Sequence, residues 1–111
     1  MIEVSHQGAV VVAKCCERIS DEFIEEIEQA LDGCFSEGMP MAVLDLQNTQ
    51  LISSEGLEYL LDTGDKFRAR GGSFKLSSPT DLCAEILSIT LFDQDVEVFE
   101  NTNQAVRSFV Q

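Results

Sequence analysis

The sequence predicts a single α/β domain with mostly parallel strands, on three observations. Its 111 residues are the usual length of one domain. Short apolar or β-branched runs, typical of strands, alternate with segments in which apolar residues recur at helical spacing. The resulting order, ββαβαβαβα, is typical of parallel strands joined by right-handed crossovers.

The N-terminal part is predicted to contain two strands and a helix. Residues 2–6 alternate between apolar and polar, Gly8 supplies a turn, and residues 9–13 are a β-branched run. Ser20 or Asp21 can cap the helix that follows. The helix has one apolar face at helical spacing, made of Phe23, Ile24, Ile27, Leu31 and Phe35.

Gly38 and Pro40 are predicted to end this helix. The nearly continuous apolar run over residues 41–46 then fits a central strand covered by helices. A second helix is expected to begin near Ser53 or Ser54. Its buried stripe comprises Leu57, Leu60, Leu61, Gly64 and Phe67.

The C-terminal part is predicted to contain two further strands and two helices. Residues 73–76 alternate as a strand, residues 79–81 open a third helix, and residues 96–99 mark a final strand. Asn101 with Gln104 three residues later resembles a capping box for the last helix. The apolar positions are Leu82, Cys83, Ile86, Leu87, Thr90 and Leu91 in the third helix, and Ala105, Val106, Phe109 and Val110 in the last.

The charge of the chain argues against nucleic acid and membrane partners. Its 20 acidic and 7 basic residues give a net charge of −13, whereas phosphate binding requires a basic surface. Residues 1–3 offer no basic start of a secretory signal, and the apolar run over residues 9–13 is too short to span a bilayer. We therefore expect a cytoplasmic protein without membrane insertion and without direct nucleic-acid binding.

The residues that usually carry catalysis or metal binding are sparse. The four cysteines show no C-x-x-C spacing, and the chain has one histidine, so reduced cysteines packed as small hydrophobic residues are expected. A Ser–His–Asp arrangement would need His6 and Asp45 with Ser53 or Ser54, and the first glycine of a G-x-S-x-G elbow is missing. Residues 93–98 lack the glycine of a calcium loop. The sequence predicts no catalytic residue, metal ligand or cofactor.

One stretch resembles a known family. Residues 43–46 form an apolar strand ending in Asp-Leu, and residues 51–61 read Leu-Ile-Ser-Ser-Glu-Gly-Leu-Glu-Tyr-Leu-Leu. This pattern resembles the STAS domain, named for sulfate transporters and anti-sigma-factor antagonists, whose turn reads Asp-Ser-Ser-Gly-Leu or similar. The two opening strands, residues 71–72, residues 89–93 and residues 98–105 extend the resemblance over almost the whole chain.

The resemblance implies a fold. We expect one STAS-like domain over residues 1–111, with a mixed, mostly parallel sheet of four to five strands and helices mainly on one face. It also implies a protein-binding module rather than an enzyme.

The resemblance further implies a phosphorylation switch. The serine that a partner kinase phosphorylates in the family aligns with Ser54, whereas the usual preceding Asp is Ser53 here and the following Ser is Glu55. In that family the partner is an anti-sigma factor serine kinase, which binds the unphosphorylated STAS protein and releases the phosphorylated one. The expected partner-binding residues are Ser53, Ser54, Glu55, Gly56, Leu57, Glu58 and Asp62.

Two other functions are kept as alternatives. The chain could serve as a STAS scaffold subunit of a lipid-transport or stress-signalling complex without phosphorylation. A small serine-dependent enzyme that uses Ser54 is the alternative from another class. The sequence leaves open whether the chain forms a homodimer.

Overall fold

The computed structural model describes residues 2–35, 38–90 and 95–110. The strands are β1 (Glu3–Gln7), β2 (Val10–Lys14), β3 (Arg18–Ile19), β4 (Met41–Asp45), β5 (Leu51–Ile52), β6 (Ser73–Ser77) and β7 (Val98–Phe99). The α-helices are α1 (Asp21–Asp32), α2 (Ser54–Ala69), α3 (Asp81–Ile89) and α4 (Thr102–Arg107). Short 3₁₀-helical turns, Gly33–Phe35 and Ser108–Val110, follow α1 and α4.

The main sheet has five strands in the order β1-β2-β4-β6-β7. β1 and β2 are antiparallel and joined by a tight turn, in which Gly8 adopts a φ of 63°, a conformation that glycine accepts readily. The remaining neighbours are parallel, with Val12 opposite Val43 and Leu44 opposite Leu76. The predicted mixed, mostly parallel α/β sheet is confirmed.

The two faces of this sheet are covered unequally. Successive strand residues point to opposite faces, so each strand contributes to two clusters. The larger cluster joins the sheet to helices α1, α2 and α3, and it includes Ala13, Leu44, Leu76, Ile27, Leu31, Leu60, Phe67 and Leu87. The smaller one joins the sheet to α4 and consists of Val10, Val12, Val43 and Ala105. Three helices therefore lie on one face and one on the other.

Several predicted helix details are wrong. α1 ends at Asp32, and Phe35 lies in the 3₁₀ turn that follows, because the chain tightens at Gly33 rather than continuing to Gly38. In α3 the fully buried side chains are Cys83 and Leu87. Leu82 was expected on the buried face and is 51% exposed. The predicted position Leu91 lies outside the described residues.

A second, two-stranded sheet was not predicted. β3 and β5 pair in parallel, with Arg18 opposite Leu51 and Ile19 opposite Ile52. Two-residue strands are too short to show an alternating pattern, so the sequence reads as loop there. This small sheet connects the segment before α1 to the residues that open α2.

Lys75 is buried, although the alternation of apolar and polar residues in its strand predicted a polar position. Its side chain is 7% exposed on the α4 face. Its Nζ donates to Ser108 Oγ at 2.6 Å and lies 4.3 Å from the centre of the Phe109 ring, with Glu97 Oε1 at 3.4 Å. These partners from the C-terminal segment make burial of the ammonium group tolerable.

Candidate functional site

The candidate site is the serine pair that opens α2. Ser53 is the N-cap residue, with extended backbone angles. Its Oγ accepts a hydrogen bond from the Gly56 amide at 3.1 Å and donates one to the Ile19 carbonyl at 3.2 Å. The Ser53 hydroxyl is therefore committed to holding the turn together.

Ser54 has a different environment from its neighbour. It is the first residue of α2 and is exposed, and its hydroxyl forms no hydrogen bond with any described residue. The sequence left open which of the two serines caps the helix. In the structure Ser53 does so, and the Ser54 hydroxyl is presented to solvent.

The Ile19 carbonyl lies beneath the turn and accepts two hydrogen bonds from Ser53. One comes from Ser53 Oγ and the other from the Ser53 amide, at 2.9 Å. A Cβ atom built on Gly56 would lie 2.2 Å from this carbonyl oxygen, which is closer than any side chain tolerates. Gly56 was expected among the partner-binding residues, and the structure shows that it lies against the backbone of Ile19 of the same chain.

Thr49 ties together the loops that support this segment. It is fully buried, and its Oγ1 donates to the Cys16 carbonyl at 2.7 Å. Its own carbonyl accepts hydrogen bonds from Thr80 Oγ1 at 3.0 Å and Cys83 Sγ at 3.3 Å. Sequence reasoning missed Thr49, because a buried polar residue inside a loop leaves no periodic signal.

The exposed side of the site is acidic. Ser54, Glu58 and Asp62 are exposed, and their spacing of four residues places them along one side of α2. Glu55 is exposed beside Ser54, whereas Leu57 is half-buried. Of the predicted partner-binding residues, Ser54, Glu55, Glu58 and Asp62 thus form a continuous surface, and Ser53 and Gly56 lie beneath it.

Exposed apolar side chains lie on elements next to this surface. Leu51 precedes the turn in β5 and is 45% exposed. α3 packs beside β5 and carries Leu82 and Ile89, which are 51% and 73% exposed. Of these residues, the sequence spacing placed only Leu82 on a helical face, where it was expected to be buried.

The groups of the hypothetical Ser–His–Asp arrangement lie in separate environments. His6 is exposed on β1, and Asp45 Oδ1 accepts a hydrogen bond from the Gln47 amide at 2.9 Å. In the part of the chain that the structure describes, neither His6 nor Asp45 forms a hydrogen bond with Ser54. The chemistry available at Ser54 is therefore that of an unassisted hydroxyl at a helix N-terminus.

Within residues 2–35, 38–90 and 95–110, no three His, Cys, Asp or Glu side chains come together to hold a metal ion. None of the helices in the described part of the chain combines the length and the apolar character that crossing a bilayer requires.

Comparison with known proteins gives a family and a fold. The STAS domain family model matches residues 1–105. An anti-sigma factor antagonist from Mycobacterium paratuberculosis superposes with a TM-score of 0.86 at 20% identity, covering 100% of this chain and 94% of that one. A STAS domain protein from Planctomyces limnophilus, described as an anti-sigma-factor antagonist, gives 0.83 at 20% identity, covering 99% and 98%.

A third solved structure is the Bacillus cell fate determinant SpoIIAA in its phosphorylated form. It superposes with a TM-score of 0.70 at 12% identity, and the match covers 100% of both chains. Identities this low establish a shared fold and no more. Among curated proteins, none matches this sequence significantly.

Proposed function

The chain belongs to the STAS domain family, and we propose that it is an anti-sigma factor antagonist with Ser54 at the centre of its docking surface. In this proposal the unphosphorylated chain binds an anti-sigma factor serine kinase. The kinase transfers phosphate to Ser54, and the phosphorylated chain is released. Support comes from its likeness to solved anti-sigma factor antagonists and to a protein solved in a phosphorylated form.

The observation that carries the proposal is that the side chain of Ser53 caps α2 while the hydroxyl of Ser54 is left exposed. Ser53 supplies the cap through hydrogen bonds to Gly56 and Ile19. Ser54 can therefore be modified without loss of the cap that holds the start of α2. A hydroxyl that is exposed, and dispensable for the fold, is what a kinase substrate requires.

The helix start provides partial stabilisation for a phosphate. The first amide groups of a helix lack intrahelical acceptors, and those of Ser54 and Glu55 have no partner among the described residues. Amides at this position bind anions, and the helix dipole contributes about 0.3–1 kcal/mol. A phosphoserine at position 54 would thus be held at the start of the helix that it opens.

The acidic surface explains why phosphorylation would release the partner. A phosphate adds about −1.5 to −2 charges next to Glu55 and Glu58, where negative charge is already concentrated. A partner that tolerates this surface before modification would then have to desolvate a dianion at the centre of the contact. Like charge at that position raises the dissociation rate without any change in fold.

The test is partner binding by a matched set of variants. The binding probes are the serine-kinase anti-sigma factors encoded in the source genome, titrated calorimetrically. Ser54→Asp is expected to weaken binding of the cognate kinase roughly 10–100-fold, because it introduces charge at the contact centre. Ser54→Ala should bind within about twofold of the wild type, since the hydroxyl holds no hydrogen bond in the chain.

Ser5→Asp is the control, because Ser5 is an exposed serine on the edge strand β1. It makes the same change of charge away from α2, so its binding should equal that of the wild type. Equal binding of wild type and Ser54→Asp would contradict the switch and favour a scaffold without phosphorylation. Failure of every kinase to bind the wild type would contradict the proposed function itself.

A further inference from the structure

Two adjacent cysteines follow β2, which ends at Lys14, and begin the segment that leads to Ile19. All four cysteines are free and buried, but only Cys15 and Cys16 lie together, with their Sγ atoms 3.7 Å apart. They are 4% and 6% exposed. The proposed docking function uses neither thiol.

The geometry of the pair disfavours a disulfide. Neighbouring Cα atoms across a trans peptide are about 3.8 Å apart, whereas disulfides usually join Cα atoms about 4.4–6.8 Å apart. The sulfur separation of 3.7 Å is instead close to that of two thiolates on one soft centre. With bonds of about 2.3 Å, two such sulfurs lie about 3.3 Å apart at the near-right angle of pyramidal trivalent arsenic and about 3.8 Å apart at the tetrahedral angle, so arsenic requires the pair to close by about 0.4 Å.

The interaction between the two thiols favours the thiolate form of Cys16 over that of Cys15. A hydrogen bond from the Cys15 thiol lowers the pKa of Cys16 to about 7, and the same interaction, with burial, raises the pKa of Cys15. The thiolate is the form that attacks electrophiles. Cys16 therefore forms the thiolate more readily than Cys15 and is the first nucleophile, and Cys15 is the adjacent second ligand.

The number of ligands restricts what the pair can bind. Within the part of the chain that the structure describes, no third His, Cys, Asp or Glu joins the pair as a metal ligand. A suitable centre must be thiophilic, must accept two sulfurs and must bring its remaining substituent with it. We propose that Cys15 and Cys16 form a bidentate binding site for trivalent arsenic compounds that retain one substituent of their own.

The reaction is a condensation without redox change. An arsenic oxide R–As=O reacts with the Cys15 and Cys16 thiols to give R–As bonded to both sulfurs. Two As–S bonds form, the bonds to oxygen break, and both thiol protons leave on that oxygen as one water molecule. Arsenic stays trivalent throughout, so no oxidant or reductant is required.

Access to the buried sulfurs requires a small local opening. Cys16 Sγ contacts the Arg18 carbonyl at 3.1 Å, and Arg18 belongs to β3, which pairs over only two residues. Arg18 is exposed, so the opening moves only this end of β3, while the Ile19 carbonyl keeps its hydrogen bonds from Ser53. A surface depression lined by Glu17, Arg18, Gln50 and Leu51 already lies over this sheet.

The test uses phenylarsine oxide as the probe on the folded, reduced full chain. We expect one adduct per chain by intact mass, and a fall from four to two titratable thiols after denaturation. Peptide mapping should place the adduct on the peptide containing Cys15 and Cys16. Excess 2-mercaptoethanol should leave it in place, whereas 2,3-dimercaptopropanol, itself a dithiol, should remove it.

Single variants separate this pair from the other thiols. Cys15→Ala and Cys16→Ala should each reduce the adduct roughly tenfold or more, because the second bond then loses its high effective concentration. Cys34→Ala and Cys83→Ala should leave it unchanged. A wild-type chain that forms no adduct until it is unfolded would overturn the proposal. An adduct that depends on Cys83 or Cys34 would overturn it equally.

Discussion

Two helices of this domain begin after a serine, and the two serine side chains make different contacts. Ser20 precedes α1 and Ser53 precedes α2, and both have extended backbone angles. The Ser20 side chain makes no capping hydrogen bond. The Ser53 side chain caps its helix and also bonds to the Ile19 carbonyl.

The difference shows that a helix N-terminus does not by itself define the site. What distinguishes α2 is its attachment to Ile19, which immediately precedes Ser20 and so links both helix starts. This attachment leaves Ser54 with an unused, exposed hydroxyl. The corresponding residue of α1 is Asp21, which already carries a charge and cannot be switched by phosphorylation.

The substitution expected to change stability most is Gly56→Ala, because it fills the contact between Gly56 and Ile19. In Gly56→Ala the new Cβ meets the Ile19 carbonyl at 2.2 Å, and backbone atoms must move. We expect the free energy of unfolding to fall by about 3 kcal/mol, as for severe overpacking. Urea unfolding followed by circular dichroism measures this loss.

Gly33→Ala is the matched control at the end of α1. Apart from its chain neighbours, no residue that the structure describes places an atom within 4 Å of a Cβ at Gly33, and the Gly33 φ of −60° suits alanine. Its stability should stay level or rise by about 0.5 kcal/mol. Equal losses in the two variants would show that the Ile19 contact is not what anchors α2.

Removal of the two serine hydroxyls compares the helix starts directly. Ser53→Ala loses the cap and the bond to Ile19, and should lower the free energy of unfolding by about 1–2 kcal/mol. Ser20→Ala should cost only about a few tenths of a kcal/mol, because its hydroxyl forms no capping bond. The same urea titrations measure both. A larger loss for Ser20→Ala would reverse the comparison.

The smallest expected effect concerns the contact between the two helices. Tyr59 lies half-buried on α2, and burial raises its pKa to about 12, with smaller contributions from Glu28 and Asp32 of α1. The folded chain thus keeps this proton at pH values where the unfolded chain has lost it. Stability from this group is complete below about pH 10 and is lost as the pH rises towards 12.

Tyr59 is the only tyrosine, so ultraviolet absorbance of tyrosinate reports its titration directly. Tyr59→Phe should remove this part of the alkaline loss of stability. A midpoint near 10 in the folded protein would show that the contact between α1 and α2 does not bury the ring.

Much of the fold was predictable because its elements are long and regular. The apolar run at Met41–Asp45 and the helical spacing of Leu60, Gly64 and Phe67 each carry a periodic signal. The Ser54 turn was found through its resemblance to a family motif. Periodicity alone indicated only that a helix begins at Ser53 or Ser54.

The remaining features depend on contacts between distant segments. The role of Ile19 arises from a two-residue strand, and Thr49 acts through hydrogen bonds to Cys16, Thr80 and Cys83. The burial of Lys75 depends on Ser108 and Phe109, more than thirty residues later. Local sequence patterns contain no information about such partners.

The most direct test of the proposed switch is the position and number of the phosphates that the cognate kinase adds. After incubation with the kinase and ATP, intact mass and peptide mapping should show one phosphate on Ser54 of the wild-type chain. Ser54→Ala should gain none, although Ser53 remains, since the Ser53 hydroxyl is committed to the cap. The proposed switch would be contradicted by a wild-type chain that binds the kinase yet stays unmodified. Phosphorylation on Ser53 would contradict it as well.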